Sequence, residues 1–324
     1  MSHTLRTAIA TSLLLAAGAG WGQTALRAWN IHPDGYPVTE AMKSFVAEVD
    51  RASGGKYKIT LHSNGSLGDQ PKAVQMLKSG ELDLAEFSSA PLSDVVPGLK
   101  AFTLPFLFTD SAHMFRYLDG PLGTRLAAKL ADAGFVVLGW YDGGARSFYC
   151  TSKPVTTGAD LVGQKIRVQQ SEVYFDMVKL LGATPVALPY KDVSAALQQK
   201  TVDCAENNMP SYESAGHYKV AKYVYLTNHT VSPEALVVSA KLWAKLSSAD
   251  QAVFQKAGQA SALLMRDLWS KRVALARASV TKEGAQIATV SDFSPFVRKM
   301  GPLYAKYMAD PTVRGELFTI IGNQ

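Results

Sequence analysis

The sequence lacks the short motifs that identify several classes of enzyme. It contains no G-x-S-x-G nucleophile turn, no P-loop, no H-E-x-x-H and no C-x-x-C motif, and its six histidines are not spaced as metal ligands. Lysines and arginines are scattered singly rather than gathered in a basic run, although the formal net charge is +6. These absences argue against the recognised catalytic templates, a metal site, a cofactor and a nucleic-acid partner, while the positive balance favours small anions.

Long apolar runs are also scarce, because only one occurs and it lies at the start of the chain. Arg6 precedes apolar residues 8–19, and small residues follow. This order is typical of a secretory signal peptide, and a buried first helix is the alternative. No later stretch reaches the roughly 20 apolar residues needed to span a bilayer. We therefore predict a signal peptide over residues 1–23 and export of the mature protein.

Cysteine is nearly absent, since Cys150 and Cys204 are the only two in the chain. An even number of cysteines in an exported protein suggests a disulfide. Both lie in segments that we interpret as strands of the same domain. Two small buried thiols are the alternative, because the sequence does not show whether those strands are adjacent. The pairing therefore stays open at this level.

What the chain does have is enough apolar material for about two domains, with 47 % hydrophobic residues in a length of 324. Strand and helix patterns alternate from the start of the mature chain, which predicts an α/β protein with a largely parallel sheet. The predicted strands are 26–31, 56–63, 82–88, 135–142, 146–152, 165–168, 220–227 and 235–240, and the predicted helices include 36–51, 71–78 and 111–132.

A long helical pattern runs from Ser247 to Glu283. It opens with an S-x-x-D capping box formed by Ser247 and Asp250. About 35 residues at 1.5 Å each reach roughly 50 Å, which is longer than one lobe of a two-domain protein. We expect a single helix that lies across both domains. Two shorter helices bent near Gly258 or Arg266 are the alternative.

Residues 160–208 place one arginine, Arg167, in a short strand that is otherwise built for burial. A buried guanidinium needs an anion, and its planar fork meets a carboxylate with two parallel hydrogen bonds. A further strand ends at Glu206 and Asn207, at the kind of strand end where ligands bind in open α/β sheets. This pattern predicts a carboxylate site. An internal salt bridge from Arg167 to Asp192 or Glu206 is the alternative.

Several segments together resemble the solute-binding proteins of TRAP (tripartite ATP-independent periplasmic) transporters, in the dicarboxylate-receptor-like family. The segments are DLVGQKIRV (160–168), LGATPV (181–186), PYKDVSAALQ (189–198), VDCAEN (202–207) and AKYVYLTNHT (221–230), with 63–88, LPFLFTD (104–110) and 144–146. They cover nearly the whole mature chain in the expected order. The resemblance implies a two-lobed periplasmic binding protein with mixed, mostly parallel sheets and a long helix spanning both lobes.

The same resemblance implies how the chain is divided and what it works with. Lobe I is expected to contain residues 24–144 and 233–272, and lobe II residues 145–232 and 273–324. A protein of this kind is a periplasmic monomer that carries no cofactor, is not an enzyme, and delivers its ligand to the small and large membrane subunits of a TRAP transporter.

By resemblance, Arg167 in KIRV fixes the carboxylate of the ligand. Arg146, in its G-x-R context, matches a second ligand-facing arginine, and Asn207 matches an asparagine that helps to hold the carboxylate. The full predicted ligand-binding set is Arg167, Arg146, Asn207, Glu86, Asp69, His32, Tyr212 and Gln169. No catalytic or metal-binding residue is predicted.

Most of the remaining members of this set have an ordinary structural alternative. Asn207 is also a typical turn residue, and Asp69 stands where a helix N-cap is expected. Glu86 follows an apolar strand and either pairs internally or accepts hydrogen bonds from ligand hydroxyl groups. His32 is alternatively a loop histidine facing solvent, and Tyr212 alternatively serves in packing.

Arginines and amides on one lobe and hydroxyl acceptors on the other suit an acid with one carboxylate and several hydroxyl groups. The stretch AENNMPSY (205–212) and the histidine near the first strand also resemble hexuronate-binding members of the family, which makes glucuronate or galacturonate the specific prediction. A receptor for a C4-dicarboxylate or another carboxylate, a receptor that signals to a membrane kinase, and an exported enzyme using Glu86 and Asp69 as paired carboxylates are the alternatives.

Overall fold

The computed structural model of the protein describes residues 23–152, 154–155 and 157–322. The signal peptide predicted over residues 1–23 therefore lies outside the described residues, apart from Gln23. Within the described ranges, no helix combines the length and the apolar character that crossing a membrane requires.

The described residues form one continuous mixed sheet. Its strands are β1 Thr24–Trp29, β2 Tyr57–His62, β3 Leu84–Ser88, β4 Phe135–Cys150, β5 Lys165–Val168, β6 Thr184–Ala187, β7 Cys204–Asn207, β8 Tyr223–Ser239 and β9 Gln286–Thr289. Their order is β2-β1-β3-β8-β4-β7-β5-β6, and β9 lies beside β8. The pairs β3/β8, β4/β8 and β4/β7 are antiparallel and the others are parallel. The predicted mixed, mostly parallel α/β architecture is confirmed, with both lobes sharing this one sheet.

Helices cover both faces of the sheet. They are α1 Pro37–Ala52, α2 Gln70–Ser79, α3 Ser89–Ser93, α4 Ser111–Leu118, α5 Pro121–Asp132, α6 Glu172–Leu180, α7 Val193–Gln198, α8 Met209–Ser214, α9 Ala240–Trp243, α10 Ser248–Lys282, α11 Ser294–Lys299, α12 Gly301–Met308 and α13 Pro311–Ile321. Short 3-10 helices occupy Pro97–Thr103, Gly158–Leu161, Tyr190–Asp192 and His217–Lys219. Apolar side chains such as Val38, Met42, Phe45 and Val49 of α1 are buried against this sheet, which is why an amphipathic sequence forms a helix there.

The single helix predicted over residues 111–132 is wrong, because α4 and α5 are separate. Gly120 is extended at φ −106° and ψ −165°, and Pro121 then opens α5. Proline has no N–H and its ring clashes with the preceding turn, so a helix ends before it. A side chain on Gly123 would place Cβ only 1.8 Å from the Leu118 carbonyl oxygen, so this glycine permits the tight corner between the helices.

β4 and β8 are longer than predicted, since each had been interpreted as two separate strands. They pair with each other along most of their length and run through both halves of the sheet. Residues 143–145, which separate the predicted strands 135–142 and 146–152, form an irregularity in register between Asp142 and Ala145, with Gly144 at φ +69°. The two lobes are therefore joined by continuous strands.

α10 is one unbroken helix of 35 residues, as expected. The Ser247 side chain accepts a hydrogen bond from the backbone N–H of Asp250 at 3.2 Å, which confirms the predicted N-cap. Gly258 does not bend the helix; a Cβ there would lie 2.5 Å from the Leu138 side chain, so glycine allows α10 to approach β4 closely. The helix packs against α1 on one side of the molecule and α8 on the other.

The C-terminal helices contact both halves of the molecule. On α12, Lys306 lies 2.6 Å from Asp176 of α6. On α13, Glu316 accepts hydrogen bonds from Arg125 and Lys129 of α5, at 3.1 and 2.9 Å. The predicted lobe boundaries stay a prediction, and residues 273–324 touch both sides of the predicted division.

Cys150 and Cys204 form a disulfide with an Sγ–Sγ distance of 2.01 Å. The two residues stand directly opposite each other on the antiparallel strands β4 and β7. The adjacency that the sequence left open is thus provided by the sheet.

We expect the disulfide to contribute about 4 kcal/mol to the free energy of unfolding, from the loop-closure entropy of the 54-residue separation. Urea denaturation of the mature protein and of the Cys150→Ala/Cys204→Ala variant measures this difference. The loss should appear mainly as a lower midpoint. Equal midpoints for the two proteins would contradict the expectation.

Candidate functional site

A cavity of about 40 Å³ lies between the two halves of the sheet, at the carboxyl ends of β1, β3, β5 and β7. Its wall is formed by Ile31, His32, Asp69, Gln70, Pro71, Ser88, Pro91, Arg146, Arg167, Gln169, Gln170, Tyr190, Asn207, Asn208, Ser211 and Glu234. The structure thus brings together six of the eight predicted ligand-binding residues, from segments far apart in sequence. This is the edge at which ligands bind in open α/β sheets.

Arg167 is a buried cation at the wall of the cavity, with 3 % of its surface exposed. Its Nε and Nη2 atoms donate to the Leu188 carbonyl oxygen at 3.0 and 2.6 Å. Within the described residues, no carboxylate forms an ion pair with it and no hydrogen bond uses Nη1. Burial lowers the pKa of Arg167 from its ordinary value, although the nearby Glu206 opposes this. The alternative of a salt bridge to Asp192 or Glu206 is therefore not observed.

Arg146, and not Arg167, forms a salt bridge with Glu206. Its Nε and Nη2 donate to the two carboxylate oxygens of Glu206 at 2.6 and 2.8 Å. Burial opposes ionisation of Glu206, but Arg146 and His229 outweigh it and lower its pKa to about 2. Arg146 and Glu206 together carry no net charge. Arg146 lines the cavity, but its charge is already compensated from within the protein.

Asn207 is oriented by this salt bridge. Its Oδ1 atom accepts from Arg146 Nη1 at 3.0 Å and from the backbone N–H of Asn208 at 2.8 Å. Both acceptor positions of the amide oxygen are used, so Nδ2 remains as a donor toward the cavity. The backbone N–H of Gln169 donates to Glu206 at 3.3 Å, and its side chain lines the same wall. Arg167, Asn207 and Gln169 together form the end of the cavity that suits a carboxylate.

The opposite wall is built around His32 and Asp69. His32 is buried rather than a solvent-facing loop residue, and its ring stacks on Tyr36 with centroids 4.0 Å apart. Asp69 accepts a hydrogen bond from the backbone N–H of Lys72 at 3.2 Å. It therefore serves as the N-cap of α2 and also lines the cavity, and its contact with a ligand stays a prediction.

Sequence reasoning missed Glu234, a carboxylate of β8 in the cavity wall that is 5 % exposed. Its Oε1 atom accepts from Ser88 Oγ at 3.3 Å and lies 3.7 Å from His32 Nε2. Its Oε2 atom has no hydrogen-bond partner among the described residues. The signal was present in SPEALVV (232–238), where a single carboxylate borders an apolar run, as Glu86 does in LDLAEFS (82–88). Gln70, Tyr190, Asn208 and Ser211 were also missed.

The structure does not bring Glu86 or Tyr212 to the cavity wall, which corrects their predicted placement. Glu86 is fully buried behind Glu234, and its pKa is raised well above the ordinary value by burial and by Glu234. Tyr212 packs against Tyr149, and its hydroxyl donates to the Ala221 carbonyl oxygen at 2.7 Å. Because Asn208 caps α8, Tyr212 faces the core while its neighbour Ser211 faces the cavity.

His32, Glu86 and Glu234 each offer one atom that could coordinate a cation, a ring nitrogen or a carboxylate oxygen. These atoms all lie within 4.8 Å of one another. His32 and Glu86 have no hydrogen-bond partner among the described residues for their side-chain polar atoms. The chemistry available to this group is therefore hydrogen bonding, proton sharing or cation binding on the wall opposite Arg167.

Comparisons with a family model and with known proteins indicate the same family for this chain. A family model described as bacterial extracellular solute-binding protein, family 7, matches residues 30–310. A solute-binding protein of Chromohalobacter salexigens is 38 % identical over 284 residues, which cover 88 % of this chain and 84 % of that protein.

Solved structures extend the comparison to the whole fold. A TRAP periplasmic solute-binding protein of Roseobacter denitrificans with bound β-D-glucuronate has a TM-score of 0.90 at 40 % identity, covering 91 % of this chain and 98 % of that one. The galacturonate complex of a protein from Bradyrhizobium sp. BTAi1 has a TM-score of 0.88 at 42 % identity, covering 91 % and 99 %. A Polaromonas sp. JS666 protein bound to D-erythronate has a TM-score of 0.88 at 28 % identity, covering 92 % and 98 %.

The family resemblance and the two-lobed fold predicted from the sequence are thereby confirmed. Members of this family bind small organic acids and work with the membrane components of TRAP transporters, as receptors rather than enzymes. The alternative of an exported enzyme is accordingly excluded. Since the family model matches most of the chain and the solved relatives share its fold over nine-tenths of its length, the protein belongs to the TRAP-type bacterial extracellular solute-binding proteins of family 7.

Proposed function

We propose that this protein is a periplasmic receptor for a hexuronate, either glucuronate or galacturonate. The observation that carries the proposal is Arg167, a buried cation at the cavity wall that forms no ion pair within the described residues. A buried charge of this kind is stable only when an anion reaches it. Solved relatives hold glucuronate and galacturonate, which supports a ligand of this class.

The carboxylate of the ligand binds Arg167 through two parallel hydrogen bonds and accepts a third from Asn207 Nδ2. Arg146 acts as a positioning residue, because its ion pair with Glu206 fixes the amide of Asn207. Gln169 lies beside the carboxylate, and the hydroxyl groups of the ligand bind Asp69 and His32 on the opposite wall. Glu86 and Tyr212 support the wall without contact with the ligand.

The receptor closes around its ligand by bending at β4 and β8, between lobe I (24–144 and 233–272) and lobe II (145–232 and 273–324). Closure is a shift of population, which the ligand favours by the contacts that it makes only in the closed form. The closed monomer then docks on the small and large membrane subunits of its transporter. The signal peptide over residues 1–23 directs the protein to the periplasm.

A thermal-unfolding screen of the mature protein, freed of ligand by unfolding and refolding, tests the proposal. The panel contains hexuronates, aldonates, C4-dicarboxylates and 2-oxo acids. Ligand at about 1,000 times its dissociation constant adds roughly 4 kcal/mol, so a hexuronate should raise the midpoint by several degrees. A shift caused by dicarboxylates or 2-oxo acids alone would refute the hexuronate assignment and leave the receptor fold intact.

A further inference from the structure

Two carboxylates are buried side by side at the wall opposite Arg167. Glu86 lies on β3 and Glu234 on β8, where the antiparallel register pairs Glu86 with Leu236 and Glu234 with Ser88. They are 0 % and 5 % exposed. Within the described residues, neither forms an ion pair with a lysine or an arginine, and the nearest basic group is His32, 3.7 Å from Glu234. No lysine or arginine among the described residues therefore compensates two negative charges here.

Two buried carboxylates in contact cannot both ionise, because each opposes the charge of the other and both have lost water. Burial and the neighbouring Glu234 raise the pKa of Glu86 well above its ordinary value, so the pair carries a single negative charge. Glu234 is the member that reaches the cavity. The carboxylate of Glu234 gives this wall an acceptor for a donor group on the ligand.

The two ends of the cavity thus carry one cation without a carboxylate partner and one anion without a lysine or arginine partner within the described residues. Arg146 adds no net charge at the first end, because Glu206 neutralises it. In the sheet order, β4 and β7 separate the strand of Glu234 from the strand of Arg167, so the two charges stand on different sides of the site. A ligand that fits both ends carries one carboxylate and, at its far end, hydroxyl groups.

We infer that Glu234, with Glu86 behind it, is a specificity-determining residue that admits acids with one carboxylate and rejects the corresponding diacids. This inference deepens the proposed function and rests on it. A hydroxyl group of a hexuronate donates to Glu234. The aldarate with the same six-carbon skeleton brings a second carboxylate, which has no proton to donate and lies against a like charge of the protein.

Isothermal titration with galacturonate and galactarate tests this selectivity in the wild-type protein. EDTA is present throughout, so that no cation neutralises the pair. We expect galactarate to bind about 100-fold more weakly than galacturonate, because like charges brought together in a binding site oppose association strongly. Equal affinities would overturn the inference while the receptor for hexuronates stands. Absence of binding by both galacturonate and glucuronate would instead overturn the proposed function, and glucuronate with glucarate replaces the first pair if only glucuronate binds.

The Glu234→Gln variant tests whether Glu234 causes this selectivity against the diacid. Its amide keeps the shape of the side chain and removes the charge, while Glu86 remains buried without a partner and so protonated. We expect this variant to bind galacturonate less than about tenfold more tightly than galactarate, whatever the change in its affinity for galacturonate itself. A ratio that stays near 100 would show that Glu234 is not responsible.

Asp142→Asn is the matched control. Asp142 is a buried carboxylate close to Glu234, but it lies outside the cavity wall and binds Ser111 and the backbone of Gly144. The substitution makes the same chemical change, from a carboxylate to an amide. The ratio of galacturonate to galactarate affinity in this variant should equal that of the wild type. A loss of selectivity in this variant as large as in Glu234→Gln would refute the assignment.

Discussion

The Arg167→Ala variant is expected to bind a hexuronate about 30- to 5,000-fold more weakly than the wild type, since truncating one partner of a buried charge pair costs about 2–5 kcal/mol. Arg167 presents the cation that has no carboxylate partner within the described residues, and its Nη1 atom is available to the ligand. Alanine leaves the carboxylate of the ligand in a cavity whose other arginine is already paired with Glu206. Isothermal titration measures the change.

Two further variants test whether the loss of affinity is due to the guanidinium group of Arg167. Arg167→Lys keeps a charge but loses the planar fork, so its affinity should fall between those of the alanine variant and the wild type. Arg314→Ala removes an arginine of α13 that lies far from the cavity wall, and it should bind normally. In the absence of ligand, Arg167→Ala should remain folded, because it removes a buried cation that nothing in the described chain neutralises. Near-normal binding by this variant would refute the role of Arg167.

The Glu206→Gln variant is expected to lose about 3–5 kcal/mol of folding free energy, the typical effect of breaking a buried ion pair by removing one partner. Glu206 is fully buried and accepts two hydrogen bonds from Arg146. The amide of the variant leaves that arginine buried with its charge uncompensated. Urea denaturation at neutral pH measures the loss, and a midpoint equal to that of the wild type would contradict it.

The same ion pair predicts a dependence on pH. The pKa of Glu206 is lowered to about 2 in the folded protein, from an ordinary value of 4.5. Its contribution is therefore complete above about pH 4.5 and is lost as the pH falls toward 2, by about 1.4 kcal/mol per pH unit. The difference between the wild type and Glu206→Gln should shrink over this range. Glu48→Gln is the control, because its fork with Arg51 is exposed and should matter little.

Local features of the fold were accessible from the sequence, while pairings between distant segments were not. The strand around Arg167 and the helix α10 were predictable because burial, capping and periodicity are local properties. The partner of Arg146 was not, because it depends on the register between β4 and β7, about 60 residues apart. The proximity of Glu234 to Glu86 depends likewise on the pairing of β3 with β8.

Two errors of the sequence interpretation have a different origin, in single positions. At the start of α8, one residue decides which side chain faces the cavity, and the position of the cap at Asn208 turns Ser211 outward and Tyr212 inward. In β4, residues 143–145 stand between two predicted strands, 135–142 and 146–152. Only the pairing partner β8 reveals that they form an irregular point in a continuous strand.

Gly144 also determines how closely β4 approaches the long helix. A Cβ atom at this position would lie 2.6 Å from the ring of Trp269 on α10, so the indole fills the space on that side of the strand. Any side chain at residue 144 would have to displace this ring, at a φ of +69° that residues with a Cβ atom rarely adopt. A substitution there would therefore be destabilising for two separate reasons, backbone strain and the lost packing of Trp269.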